Sequence, residues 1–128
     1  MIDHLGISVA NHAASKTFYT QALAPLGIGV VMAVSKEESG AASDFTGFGA
    51  NSKPFFWIGE GTVASGMHLC FVAENRAAVD AFYNAAIAAG AKDNGKPGIR
   101  GHYHPNYYAA FVIDLNGVNL EAVCYKPA

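Results

Sequence analysis

Apolar residues follow two different periods along this chain, and stretches of each kind alternate. Residues 2–9 and 67–73 are short and mostly apolar, the length and composition of strands. From about residue 12 to 24 and from about 76 to 89, apolar side chains recur at helical spacing, as in Ala14, Phe18 and Ala22 or Val79, Phe82 and Ala86. Asn11 and Asn75 precede these stretches, where a side-chain oxygen can accept the free N–H groups of a first helical turn. Gly27 and Gly90 follow them, where a left-handed residue closes a helix. Three further strand candidates come after each helix, residues 28–34, 43–49 and 54–59 in the first half and 98–103, 107–113 and 118–125 in the second. Within Asp114-Leu115-Asn116-Gly117, the Asn-Gly pair predicts a hairpin joining the last two. Residues 59–66 have linker composition, and 35–43 read as a mobile polar loop.

Each half therefore reads β-α-β-β-β, and the halves repeat one another. At a fixed offset of 64, residues 3–27 match residues 67–91 at nine of 25 positions. Four matches are Ala in an Ala-rich chain; His4 with His68, Leu5 with Leu69, Asn11 with Asn75, Phe18 with Phe82 and Tyr19 with Tyr83 carry the case for duplication. The expected fold class is α+β, two tandem βαβββ modules (about 1–60 and 67–128) in one domain of 128 residues.

Composition narrows the function classes. With 52% hydrophobic residues there is ample material for a core, and a net charge of −2 with eight scattered Lys and Arg offers no grip on phosphate backbones or acidic membranes. No nucleic-acid or membrane partner is expected. The start, Met1-Ile2-Asp3-His4, lacks the order of a signal peptide, so a soluble, cytoplasmic protein is expected. Cys70 and Cys124 sit in apolar stretches and read as reduced core thiols.

A His near the start of the first strand in each half, with Leu120-Glu121 on the final strand after a Gly turn, resembles the vicinal oxygen chelate superfamily of glyoxalases, bleomycin-resistance proteins and extradiol dioxygenases. The most specific parts are Ile2-Asp3-His4-Leu5-Gly6, Met67-His68-Leu69 and the closing run from Ala109 to Val123. The resemblance implies curved mixed sheets forming a cup, helices outside, and one divalent metal (Zn, Mn, Fe(II), Ni or Co) held by His4, His68 and Glu121. It also implies a homodimer and a small-molecule substrate. Physical chemistry points the same way. Alternation places His4, Gly6 and Ser8 on one face of their strand, with the apolar side chains on the other. Glu121 lies between Leu120 and Ala122, where a buried carboxylate needs a cation or hydrogen bonds to offset its desolvation. The competing reading makes the two histidines ordinary strand residues and pairs Glu121 with Lys or Arg.

Mapped back by 64, Glu121 falls on Trp57. Glyoxalase I is similar in fold but carries a second acid there, and an indole neither binds metal nor shuttles a proton, although Glu60 is three residues away. Phe55 and Trp57 share strand parity and are expected as an aromatic, substrate-binding wall, or else as core. The segment Gly101-His102-Tyr103-His104-Pro105-Asn106-Tyr107-Tyr108 leads into the strand beside Glu121. A two-residue turn at Leu115-Asn116 sets Ala110 opposite Glu121, which makes Tyr108 its neighbour and points Tyr107 away. His102, His104 and Tyr108 are the expected acid–base residues; Arg100, Tyr103 and Tyr107 are expected to contact substrate. A polar surface loop is the plainer reading of the same segment.

Three functions follow from these residues. The first is a metal-dependent enzyme that chelates adjacent oxygens for isomerase, lyase or addition chemistry. The second is an extradiol-type dioxygenase, although the tyrosine of that pattern is Phe111 here. The third is a metal-free, bleomycin-resistance-like binding protein.

Overall fold

The computed structural model describes all 128 residues. Each half folds as β-α-β-β-β, with one short addition. In the first module β1 (Leu5–Val9) leads into α1 (His12–Leu23), β2 (Gly29–Val34), a one-turn helix α2 (Lys36–Ser39), β3 (Phe45–Ala50) and β4 (Lys53–Glu60). In the second, β5 (His68–Val72) leads into α3 (Arg76–Ala88), β6 (Lys92–Ile99), β7 (Tyr108–Ile113) and β8 (Asn119–Cys124). Two four-stranded mixed sheets result, ordered β1-β4-β3-β2 and β5-β8-β7-β6. The first strand of each module pairs in parallel with its last, a join that needs the helix as crossover. No helix is long and apolar enough to cross a membrane.

Both helices start as their asparagines dictate: Asn11 Oδ1 accepts from Ala14 N at 2.9 Å and Asn75 Oδ1 from Ala78 N at 2.8 Å. The two helices pack on each other, and one side of each sheet packs beneath them. A chain of aromatic edges crosses between modules, with Tyr19 and Phe56 centroids 5.0 Å apart and Phe56 and Phe71 5.6 Å apart. The modules thus share one core, while the other face of each sheet stays open.

A second joint is polar. The β7–β8 turn meets the start of α1: Asn116 Oδ1 accepts from Ala10 N at 3.0 Å, and the buried Asp114 carboxylate accepts from the Tyr19 hydroxyl.

Two expected boundaries are corrected. Residues 36–39 of the supposed mobile loop form α2, capped by Ser35 on Glu38 N at 3.2 Å and closed by Gly40 at φ 72°. The expected strand at 98–103 is displaced: β6 begins at Lys92, and residues 100–107 are a loop. Lys92-Asp93-Asn94-Gly95-Lys96-Pro97-Gly98 has the composition of a turn, yet β6 is the sheet's edge, where Pro and bulged Gly are tolerated.

The β3–β4 hairpin turns on Asn51 and Ser52, both at positive φ (54° and 62°), as a tight two-residue turn demands. The register slips beside it at Gly49, where an added Cβ would stand 1.9 Å from the Lys53 carbonyl oxygen. Gly49→Ala is expected to cost at least about 2 kcal/mol by overpacking against backbone that cannot move aside, read as a fall in the urea midpoint. Ser52→Gly relieves the left-handed conformation instead and raises that midpoint.

Candidate functional site

Alternation sends Leu69, Phe71, Leu120 and Ala122 to the core and leaves His68, Cys70 and Glu121 on the opposite face of the second sheet. Parallel pairing of β5 with β8 sets Cys70 opposite Glu121 and His68 opposite Asn119. His68 Nε2 then lies 3.1 Å from Glu121 Oε1, and His68 Nδ1 lies 3.1 Å from the Asn119 carbonyl oxygen. The Tyr107 hydroxyl donates to Glu121 Oε2. Phe111, opposite Glu121 on β7, lies nearly parallel to the His68 ring at 6.3 Å and 20°. The carboxylate is buried at 3% exposure, so every group touching it matters electrically. Burial first, then the charge of Glu121, pushes the Cys70 thiol up to about 12, which keeps it protonated at neutral pH. Burial and the same carboxylate hold the Tyr107 phenol above the ordinary tyrosine range.

The donor chemistry of this pair fits a divalent cation. Both His68 nitrogens face oxygen acceptors; with the Nδ1 proton given to the Asn119 carbonyl, the Nε2 lone pair points at a carboxylate. Nitrogen and oxygen ligands at about 2.1 Å that meet at a right angle stand about 3 Å apart, which matches the observed separation. One chain brings only these two donors together: no three His, Cys, Asp or Glu side chains are grouped so as to hold a metal. His4 stands on the first sheet just before β1, exposed, with Nδ1 2.6 Å from Asp3 Oδ1. Asp3 also takes Lys53 Nζ at 2.7 Å; that bond, then the one to His4, holds the Asp3 carboxyl below its usual range.

Trp57 faces Gly47 in the first sheet just as Glu121 faces Phe111 in the second, each partner 64 residues from its counterpart. The indole therefore occupies the acid's position without any slip in alignment. Glu60 offers no substitute, because it ends β4 beside Asn11, His12 and Asp44 in a separate polar cleft. Trp57 floors a concavity of about 540 Å³ with His4 and Lys53 on its rim. Phe55 does not share that wall: it lines an apolar groove of about 470 Å³ with Ile2, Leu5 and His68, between the two sheets.

The expected placements of Tyr107 and Tyr108 relative to Glu121 are exchanged. The β7–β8 connection is one residue longer than a two-residue turn: Asp114 N donates to Val118 O at 2.9 Å and Gly117 takes φ 88°. Phe111 rather than Ala110 thus faces Glu121, and the opposite side of β7 turns inward. Tyr108 points to the helix, bonding Asp80 Oδ1 at 2.6 Å beneath the Arg76 guanidinium. His102 and His104 are exposed and form no hydrogen bond to His68, Glu121 or Tyr107; His104 Nδ1 accepts from Asn106 N at 3.0 Å. Tyr103, exposed, packs on Tyr107 at 5.0 Å. Arg100 donates to the Lys96 and Gly98 carbonyls, each at 2.8 Å, and lies over Phe111, at the edge of the site. Cys70 is exposed on the His68 face, not a core thiol, whereas Cys124 is buried as expected.

Asp3 and Asn119 were not singled out by sequence reasoning, and Cys70 was read only as a core thiol. Cys70 carried a usable signal, since it lies two residues from His68 on a strand. Asn119 acts through its carbonyl oxygen, which no side-chain pattern can reveal.

Comparison with known proteins agrees with this architecture. A glyoxalase/bleomycin resistance protein from Albidiferax ferrireducens T118 is 27% identical, with a TM-score of 0.75 over 96% of this chain and 97% of that one. A glyoxalase/bleomycin resistance protein/dioxygenase family enzyme from Burkholderia phytofirmans PsJN shares the fold at 22% identity and TM-score 0.68, over 94% and 95% of the two chains. A glyoxylase/bleomycin resistance protein/dioxygenase domain from Frankia sp. EAN1pec does so at 16% identity and TM-score 0.69, over 96% and 95%. Among curated proteins no match is found. With the family model matching residues 1–122, the chain belongs to the glyoxalase/bleomycin resistance protein/dioxygenase superfamily.

Proposed function

We propose that this protein is a metal-dependent enzyme that binds a small molecule through two adjacent oxygens and performs isomerase, lyase or addition chemistry. Its metal would be held by His68 and Glu121 of one chain and His4 of a second copy in a homodimer. The observation that carries the reading is the 3.1 Å approach of His68 Nε2 to the buried Glu121 carboxylate. Asp3 supports His4 in the same role: by accepting the Nδ1 proton it leaves Nε2 as the outward lone pair, the usual way a carboxylate orients a ligating histidine. When bound, the metal supplies Lewis acidity, lowering the cost of negative charge on a chelated oxygen. Tyr107 fixes the Glu121 carboxylate through Oε2 and keeps its own proton there, so Oε1 is the oxygen turned to His68. Phe111 on β7 and Cys70 on β5 stand opposite Glu121 on its two neighbouring strands. With Trp57 in place of a second acid, proton transfer between substrate carbons would depend on Glu121 or on a substrate oxygen.

Metal content after anaerobic reconstitution tests this reading. Stoichiometric binding by the natural protein, lost in both His68→Ala and His4→Ala, is expected. Mixing these two inactive variants is expected to restore part of the bound metal, because one site of the hybrid dimer retains both histidines. Absence of binding with any of the five candidate metals overturns the proposal. A metal-free ligand-binding protein is the second reading, favoured by the apolar groove beside His68; ligand affinity indifferent to chelator would support it.

A further inference from the structure

The open face of the first sheet is built differently from that of the second. Trp57 lies over Gly47, where an added Cβ would stand 2.9 Å from the indole, and Phe45 lies over Gly59, where it would stand 2.4 Å from the phenyl ring. A ring resting on a glycine of the neighbouring strand covers bare backbone and occupies space a side chain would otherwise fill. Both rings are only half-buried. At offset 64 the two supporting glycines become Phe111 and Val123, and Phe45 becomes Ala109. The arrangement is therefore peculiar to the first module and is not inherited from the duplication.

Covering a bare glycine backbone accounts for where each ring rests. The same two half-buried rings line a concavity of about 540 Å³, which suits a flat π-system, because such a system stacks on an aromatic ring where a puckered aliphatic ring cannot. The rim is polar on one side: His4 and Lys53 both bond Asp3, which leaves His4 Nε2 and the remaining Lys53 N–H groups directed outward.

We infer that the first sheet's open face is the ring-binding half of the substrate site, stacking a planar aromatic acid against Trp57 and Phe45 with its oxygens at the His4–Lys53 rim. This names the substrate class of the enzyme proposed above and rests on that reading for its catalytic meaning, while the stacking itself needs no metal.

The test uses 2-naphthoate and its saturated counterpart, decahydro-2-naphthoate, on the full-length, chelator-treated protein. Because Trp57 is the sole tryptophan, its indole N–H gives one resonance that reports on this floor alone. 2-Naphthoate is expected to bind by calorimetry and to shift that resonance, with the saturated acid at least about 10-fold weaker. Trp57→Leu is expected to weaken 2-naphthoate by a similar factor. Gly47→Ala, which keeps the indole but lifts it from the sheet, is expected to weaken it less. Equal affinity for the two acids, an unmoved indole resonance or undiminished binding by Trp57→Leu overturns the inference. Failure of the metal proposal is separable: stacking would persist without stoichiometric metal, and metal would bind even if the two acids proved equivalent.

Discussion

Asp114→Ala is expected to lower stability by roughly 3–5 kcal/mol, since it removes the acceptor for several hydrogen bonds and strands a buried hydroxyl. Asp114 Oδ1 accepts from Asn116 N and Val118 N, both at 2.8 Å, and so shapes the β7–β8 turn. Its other oxygen takes the hydroxyl of Tyr19, whose side chain is wholly buried in α1. The residue therefore ties a turn of the second module to the helix of the first. A loss of that size is a large share of the 5–15 kcal/mol typical of a folded domain. Urea unfolding checks it: the midpoint falls at unchanged slope, and Asp114→Asn, which keeps an acceptor, falls less. The pH dependence has a definite sign. Burial, then the Asp114 charge, raises the Tyr19 phenol above its ordinary value of 10.0. A raised folded value gives a contribution fully present below pH 10 and lost as pH rises beyond it, so the joint loosens in alkali while neutral pH leaves it intact. Tyr19→Phe is expected to remove that alkaline component.

Glu121→Gln is expected to reduce metal affinity by at least about 100-fold, more than the 10–100-fold usual for loss of a group that only supports a ligand. The amide has the shape of the carboxylate, can accept the Tyr107 hydroxyl and can donate to His68 Nε2. The fold should therefore survive, and the metal-free variant should be as stable as the natural protein or more so, because a buried charge has been removed. Calorimetric titration of dialysed protein with Zn or Co checks the first half, and urea unfolding the second. Affinity within about threefold of the natural protein would remove Glu121 from the ligand set and leave it a buried acid hydrogen-bonded by Tyr107.

The register of β7 against β8 shows how far sequence reading reaches. Asn116-Gly117 marked the turn correctly, but Gly117 takes its positive φ as the extra residue of a longer turn, not as part of a two-residue one. A shift of one residue exchanges the faces of a strand, so Tyr107 and Tyr108 change places and Phe111 replaces Ala110 opposite Glu121. β6 was misplaced for a related reason: edge position permits Gly and Pro, and composition alone cannot tell that a segment will be an edge.

By itself the sequence determined the duplicated β-α-β-β-β plan, the helix starts at Asn11 and Asn75, and the equivalence of Trp57 with Glu121. Each of these depends on short-range periodicity or on a constant offset, both of which are written along the chain. Tertiary structure alone decided that His68 meets Glu121 while His4 stands on the other sheet, that Asp114 joins the modules through Tyr19, and that Trp57 and Phe45 rest on glycines of neighbouring strands. Those facts depend on strand pairing and on which faces close over a shared core. They are set by contacts between residues 10 to 95 positions apart, which no local pattern records.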